Sequence, residues 1–178
     1  MIYGGEFVSK ILLTGHKGFI GKELVKRLTK ENSVVGIDLQ DGWDRDHINN
    51  TQDLLTCELN EEFDLIIHLA GKSGVRESIN DPAGYWRNNV EVSKRLFARY
   101  PDTRVLYASS SSAYEPDLNP YAASKYVMEE AGERYSNTLG MRFHTVYSDN
   151  PRTGMFLQKL KDGELEYVTD HYRDFIHI

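Results

Sequence analysis

Short apolar runs alternate along this chain with longer stretches whose apolar positions recur every three or four residues. Val8 to Thr14, rich in branched residues and closed by Gly15, predicts a buried strand. Phe19 to Lys30 follows at helical period, with Ile20, Leu24, Val25 and Leu28 on one face. Further strands are predicted at Val34 to Asp38, Asp64 to Ala70, Thr103 to Ser109 and Leu139 to Tyr147, with a short one near Leu54. Helices are predicted at Pro82 to Tyr100 and Pro120 to Asn137, each opened by a proline suited to a first turn. Past Pro151 the pattern predicts a helix from Met155 to Lys161 and short strands near Glu166 and Phe175. Strands apolar on both faces, separated by helices, predict an α/β fold: a parallel sheet covered on both sides, doubly wound by right-handed crossovers.

Composition narrows the picture. The 178 residues make one domain, 1–178, with no repeat or linker and with length enough for a core that needs no staple. The longest apolar runs, such as Leu65 to Ile67, fall far short of the ~20 residues a bilayer requires, so no membrane partner is expected. Cys57, the single cysteine, has no internal disulfide partner and no zinc-ligand spacing around it, which points to reducing cytoplasm and no metal. A net charge of −6 argues against nucleic acid as a partner, while a small phosphate ligand remains compatible with it.

The first strand runs into Gly15-His16-Lys17-Gly18-Phe19-Ile20-Gly21. Such glycine spacing alone marks only a strand-to-helix turn. In this position Gly15 permits a tight bend, Gly18 lets backbone approach a pyrophosphate, and Gly21 lets the helix lie close on the sheet. The helix start then offers N–H groups and partial positive charge to phosphates. Asp38 ends the second strand 17 residues after Gly21, where a carboxylate accepts from both ribose hydroxyls of an adenosine. Its charge would repel a 2′-phosphate, so the loop predicts NAD(H) rather than NADP(H). Lys17 is placed to add charge near phosphate, although solvent is the default surrounding for both His16 and Lys17.

Tyr121 and Lys125 stand four apart and share one helix face. A free phenol, with a pKa of about 10, is a poor base at neutral pH. A neighbouring ammonium is expected to lower that value, and a positive nicotinamide ring would act the same way. Upstream, Ser109-Ser110-Ser111-Ser112 closes a strand at the edge where such sheets bind ligands. Alone, these features fit an exposed helical pair and a flexible polar turn; with the glycine loop before them they point to proton abstraction from a hydroxyl.

Together these segments resemble the extended short-chain dehydrogenase/reductase family, the NAD-dependent epimerase/dehydratase group, and especially its UDP-glucuronate and UDP-galactose 4-epimerase-like members. Thr14 to Gly21 is similar to its TGxxGFIG. Asp53-Leu54 is similar to its adenine-pocket dipeptide, and His68-Leu69-Ala70-Gly71 to the strand end behind the cofactor. Gly74 to Ser78, Asn88-Asn89-Val90, Tyr107 to Tyr114, Pro120 to Lys125 (PYxxSK), Met141 to Tyr147 and Tyr172 to Ile178 (RDFIHV-like) extend the likeness over nearly the whole chain. The resemblance implies a Rossmann-like fold. It implies that NAD is bound by Gly15, Lys17, Gly18, Phe19, Ile20, Gly21, Asp38, Asp53, Leu54, Leu69, Ala70, Gly71, Asn89, Tyr121 and Lys125. Ser110, Tyr121 and Lys125 take the catalytic roles, Tyr121 as general base. Arg76, Ser78, Ser111 and Arg173 fall on the substrate side, Arg173 at a diphosphate or, equally, paired with Asp174 on the surface. His68 is expected to be a packed residue.

The implied chemistry is hydride transfer between NAD and C4 of a UDP-hexose or hexuronate. Alternatives are a reduced oxidoreductase acting on a small alcohol or ketone, and a non-catalytic NAD-binding module or half of a split enzyme. The chain departs from the family in being short. Only five residues separate Tyr114 from Pro120, and most of the carboxy-terminal substrate lobe is absent, with 151–178 its remnant. Family members commonly dimerise through the two helices predicted at 82–100 and 120–137. Tyr126, Val127, Ala131 and Tyr135 exceed a single apolar stripe, so a homodimer with a four-helix contact is expected.

Overall fold

The computed structural model describes residues 8–40, 49–149, 154–166 and 174–178. The chain divides into two compact units, Met1–Arg142 and Phe143–Ile178. In the first, strands β1 (Lys10–Thr14), β2 (Ser33–Asp38), β3 (Asn49–Thr51), β4 (Leu65–His68), β5 (Arg104–Ser110) and β6 (Thr138–Phe143) form one sheet in the order β3-β2-β1-β4-β5-β6. The five strands from β3 to β5 pair in parallel. Helices α1 (Phe19–Leu28), α2 (Val75–Asn80), α3 (Pro82–Trp86), α4 (Val92–Arg99) and α5 (Pro120–Gly132) lie between them in sequence.

Two-residue alternation builds the two faces of this sheet. Ile11, Leu13, Val34 and Ile67 point to one side and pack with Val25 of α1. Leu12, Ile37, Ile66 and Val105 point to the other and meet Leu96 and Phe97 of α4 and Met128 of α5. Leu12 and Leu13 are each wholly buried, which explains why β1 reads as an unbroken apolar run. Each such side chain contributes about 1.5–3 kcal/mol by leaving water.

Several elements differ from the sequence pattern; the short strand expected near Leu54 is β3 at Asn49–Thr51, with Leu54 in a turn. The helix predicted at 82–100 contains a π-helical turn, Arg87–Glu91, between α3 and α4. The helix predicted at 120–137 stops at Gly132, whose carbonyl accepts the hydroxyl of Thr138 (2.8 Å) and the N–H of Tyr135 (2.9 Å), closing the end. Residues 75–80, for which the pattern predicts no element, form α2. The strand predicted at 139–147 breaks at His144, because β7 (Thr145–Tyr147) pairs instead with β8 (Phe175–His177).

The second unit consists of that parallel pair and α6 (Phe156–Asp162), which ends on Gly163 in a left-handed conformation. The Tyr147 ring meets Phe175 and His177 edge-on. Residues 164–166 form no strand. Among the described residues, no helix is long and apolar enough to cross a membrane.

Candidate functional site

Strand order reverses between β1 and β4, and a crevice opens outside the carboxyl ends of strands at such a switch point. Gly15 sits there with φ +73°. A Cβ on it would stand 2.6 Å from the Ala70 N, at the end of β4, so only glycine fits. Gly18 caps α1 with extended backbone and no side-chain bond, leaving the first turn to backbone groups. This is the cradle a pyrophosphate fits.

Asp38, at the end of β2, is oriented by two N–H groups: Lys17 N donates to Oδ2 (2.9 Å) and Gln40 N to Oδ1 (3.0 Å). The Lys17 ammonium reaches the Gln40 carbonyl (2.7 Å). Asp53 lies beside this corner, since Gln52 N donates to the Asp38 carbonyl (3.0 Å). Asp53 accepts from Leu55 N (2.9 Å) and pairs with Arg87 of the π-turn. The Leu55 N–H first, and then Arg87, lower its pKa. His16 is buried, with its ring packed on Gly36, rather than turned to solvent as the loop composition suggested.

At the other end, Asn119 caps α5 by accepting from Ala122 N (2.9 Å). That start sets Tyr121 and Lys125 on the buried face beneath the end of β5. The Ser110 hydroxyl hydrogen-bonds to the Tyr121 phenol. The Lys125 ammonium donates to the Ala108 carbonyl (2.8 Å). Burial lowers the Lys125 pKa to about 8, with Glu129 opposing it. Here the expectation for Tyr121 is corrected: its pKa is raised. Burial is the larger effect and the Ser110 bond the smaller, opposing one, while the ammonium is directed at a carbonyl.

A buried polar chain joins these parts. Thr14 Oγ1 lies 2.7 Å from His68 Nδ1, and His68 Nε2 lies 2.9 Å from Ser93 Oγ. Ser93 donates onward to the Asn89 carbonyl (2.7 Å), so its oxygen accepts from Nε2–H and Nδ1 accepts from Thr14. His68 is thus a neutral packed residue, its pKa pushed down to about 3 by burial and then by Lys125. The Asn89 side chain, in the π-turn, clamps Lys72: Oδ1 accepts from Lys72 N (2.7 Å) and Nδ2 donates to Lys72 O (3.0 Å). Nδ2 also donates to Ser124 (2.9 Å), which donates to the Tyr121 carbonyl (2.8 Å). A Cβ on Gly71 would fall 2.7 Å from Asn89 Oδ1 and 3.5 Å from the Lys125 Nζ, so β4, the π-turn and α5 converge there.

The structure therefore brings Gly15 to Gly21, Asp38, Asp53-Leu54, Leu69 to Gly71, Asn89, Ser110, Ser111, Tyr121 and Lys125 to one edge of one sheet. Ser78 is a correction: it is wholly buried in α2 with its hydroxyl given to the Val75 carbonyl (2.6 Å), so it lines no open surface. Arg76 is exposed on the same helix. Arg173 lies outside the described residues.

Sequence reasoning missed Ser93, Ser124 and Tyr85. The Tyr85 ring meets Tyr121 edge-on (6.1 Å), and its hydroxyl donates to the Ser73 carbonyl (2.8 Å). The spacing of Ser124 within PYxxSK was the available signal; Tyr85 and Ser93 lie in a helix that periodicity marks only as packed.

A model of the NAD dependent epimerase/dehydratase family matches residues 11–178. Protein CapI of Staphylococcus aureus is 29% identical over 193 residues, covering 84% of this chain and 58% of CapI. MoeE5, solved in complex with UDP-glucuronic acid and NAD, superposes with a TM-score of 0.78 at 30% identity, covering 94% of this chain and 68% of MoeE5. The UDP-glucuronic acid 4-epimerase from Bacillus cereus, in complex with UDP-glucuronic acid and NAD, gives 0.78 at 26% identity, covering 94% and 69%. The glycine cradle, the oriented Asp38 and the Ser110, Tyr121 and Lys125 cluster thus sit on the fold of these proteins, and the chain belongs to the NAD dependent epimerase/dehydratase family.

Proposed function

We propose that this chain binds NAD along the carboxyl edge of its sheet and acts on C4 of a UDP-hexose or hexuronate. Convergence of Ser110, Tyr121 and Lys125 at the switch-point edge carries the reading. Phe19, Ile20 and Gly21 hold the pyrophosphate with their N–H groups, and Asp38 takes the adenosine ribose. NAD, when bound, supplies the acceptor and donor of the C4 hydride and a positive ring beside the phenol. Tyr121, as the phenolate that the Lys125 ammonium and a bound positive ring favour, takes the proton of the C4 hydroxyl as that carbon becomes a ketone and returns it afterwards; return of hydride to the other face of the ketone is what inverts the configuration. Ser110 bonds the same oxygen, and Lys125 sets the charge of the pocket. Arg76, Ser111 and Arg173 belong to the sugar-diphosphate side, with 151–178 part of a substrate lobe.

Trp86 and Tyr126, on the helices expected to dimerise, are exposed, which supports a homodimer. Reducing cytoplasm suits Cys57, a buried free thiol. A smaller alcohol or ketone is the alternative substrate. Calorimetry with NAD, followed by a screen of UDP-sugars against small alcohols with product analysis, tests the reading. Inverted UDP-sugar is the expected product. No heat with either oxidised or reduced cofactor at millimolar concentration overturns it.

A further inference from the structure

Among the described residues, Glu129 is the one buried carboxylate, and the chemistry above leaves it without a role. It lies one turn past Lys125 and two past Tyr121, on the same face of α5. Its Oε1 accepts from the Ser109 hydroxyl and from Arg142 Nε (2.9 Å). Its Oε2 accepts from Arg142 Nε (3.1 Å) and Nη2 (2.6 Å), a fork on a strand 13 residues away. The Arg142 guanidinium covers the Tyr114 ring at 4.2 Å. Ser109 stands between Ala108, whose carbonyl receives the Lys125 ammonium, and Ser110, which bonds the phenol. One carboxylate therefore ties β5 and β6 to the catalytic helix, directly behind its two reactive groups.

We propose that Glu129 is a positioning residue that keeps the Lys125 ammonium charged and fixed beneath Tyr121. The proposal rests on reading Tyr121 and Lys125 as the catalytic pair. Burying an ammonium favours its neutral form, and a carboxylate one turn away opposes that loss. Lys125 faces neutral His68 from β4, the Ala108 carbonyl from β5, Asn89 from the π-turn, and Tyr121 and Glu129 from its own helix. Glu129 faces Arg142 from β6, Ser109 and Tyr107 from β5, and Lys125 from α5. The charge that acts on the Lys125 ammonium is that of Glu129, and it favours the protonated form.

The test is a pH titration of Lys125 in the full chain labelled at lysine ¹³Cε, its resonance assigned by its loss in Lys125→Met. Glu129→Gln is expected to move the Lys125 midpoint down by about one pH unit, the range for one close opposite charge. Looser packing would admit water and move it up toward the free-lysine value, so the sign separates charge from support. Glu129→Gln with Arg142→Met removes both charges of the ion pair and is expected to move the midpoint down as well. An unchanged or raised midpoint in the folded variants overturns the proposal, as does failure of both to fold, which would make Glu129 purely structural. This titration needs neither substrate nor NAD. If the sugar screen fails while the midpoint falls, the catalytic reading is wrong and the Glu129–Lys125 coupling stands.

Discussion

The two ends of the strand edge hold charge in different ways. At the adenosine corner, Asp38 and Asp53 are oriented mainly by backbone N–H groups, and the ion pair of Asp53 with Arg87 is partly open to solvent. At the phenol end, Lys125, His68, Asn89 and Glu129 are buried, and the groups that answer them are supplied by five different elements, β1, α4, β5, α5 and β6. An exposed pair is screened and cheap to lose; a desolvated one is neither. The adenosine corner should therefore tolerate substitution, and the phenol end should not.

Tyr121→Phe tests the contrast most severely. It should lower turnover of a UDP-sugar by about 10²–10⁴-fold while calorimetry finds NAD binding retained. Asn89→Leu should follow: it removes the buried amide that pairs with both backbone groups of Lys72 and donates to the Ser124 hydroxyl, and should cost about 2–4 kcal/mol in urea unfolding. His68 sets a pH dependence. Unfolded, it takes a proton near pH 6.5; folded, not until about 3. Between those values the unfolded state binds more protons, so stability falls with falling pH, by up to about 1.4 kcal/mol per unit from this group. His68→Asn should flatten that slope in melts taken from pH 6.5 to 4. Arg87→Met should do least, weakening NAD binding by no more than about 1 kcal/mol, because its partner pair is partly exposed. A larger loss there than at Asn89 would reverse the comparison.

What was legible in the sequence were features a few residues long. The apolar runs of β1 and β4 show because both of their faces are buried, and the glycine loop shows because Gly15 stands where no Cβ fits. Tyr121 and Lys125 show because helical spacing alone puts them on one face. Helix α2 was not legible, since only Ser78 of its six residues is buried and no apolar stripe results. The burial of His16 depends on the bare backbone of Gly36, on another strand. The upward shift of the Tyr121 phenol was missed because spacing gives the distance to an ammonium but neither its direction nor the desolvation of the site. Glu129 was a helical residue like any other until the fold set Arg142 and Ser109 against it.

The π-helical turn at Arg87–Glu91 adds one residue to the circuit of an otherwise regular helix. One residue is about 100° of rotation. Tyr85 before the bulge meets the phenol ring and Asn89 within it meets the lysine's neighbours, while the helix from Val92 onward is rotated relative to the helix before the bulge. Deleting a single position there would swing Ser93 and the rest of α4 against the Tyr85 end as a rigid dial turns, leaving the residue types unchanged and their alignment lost.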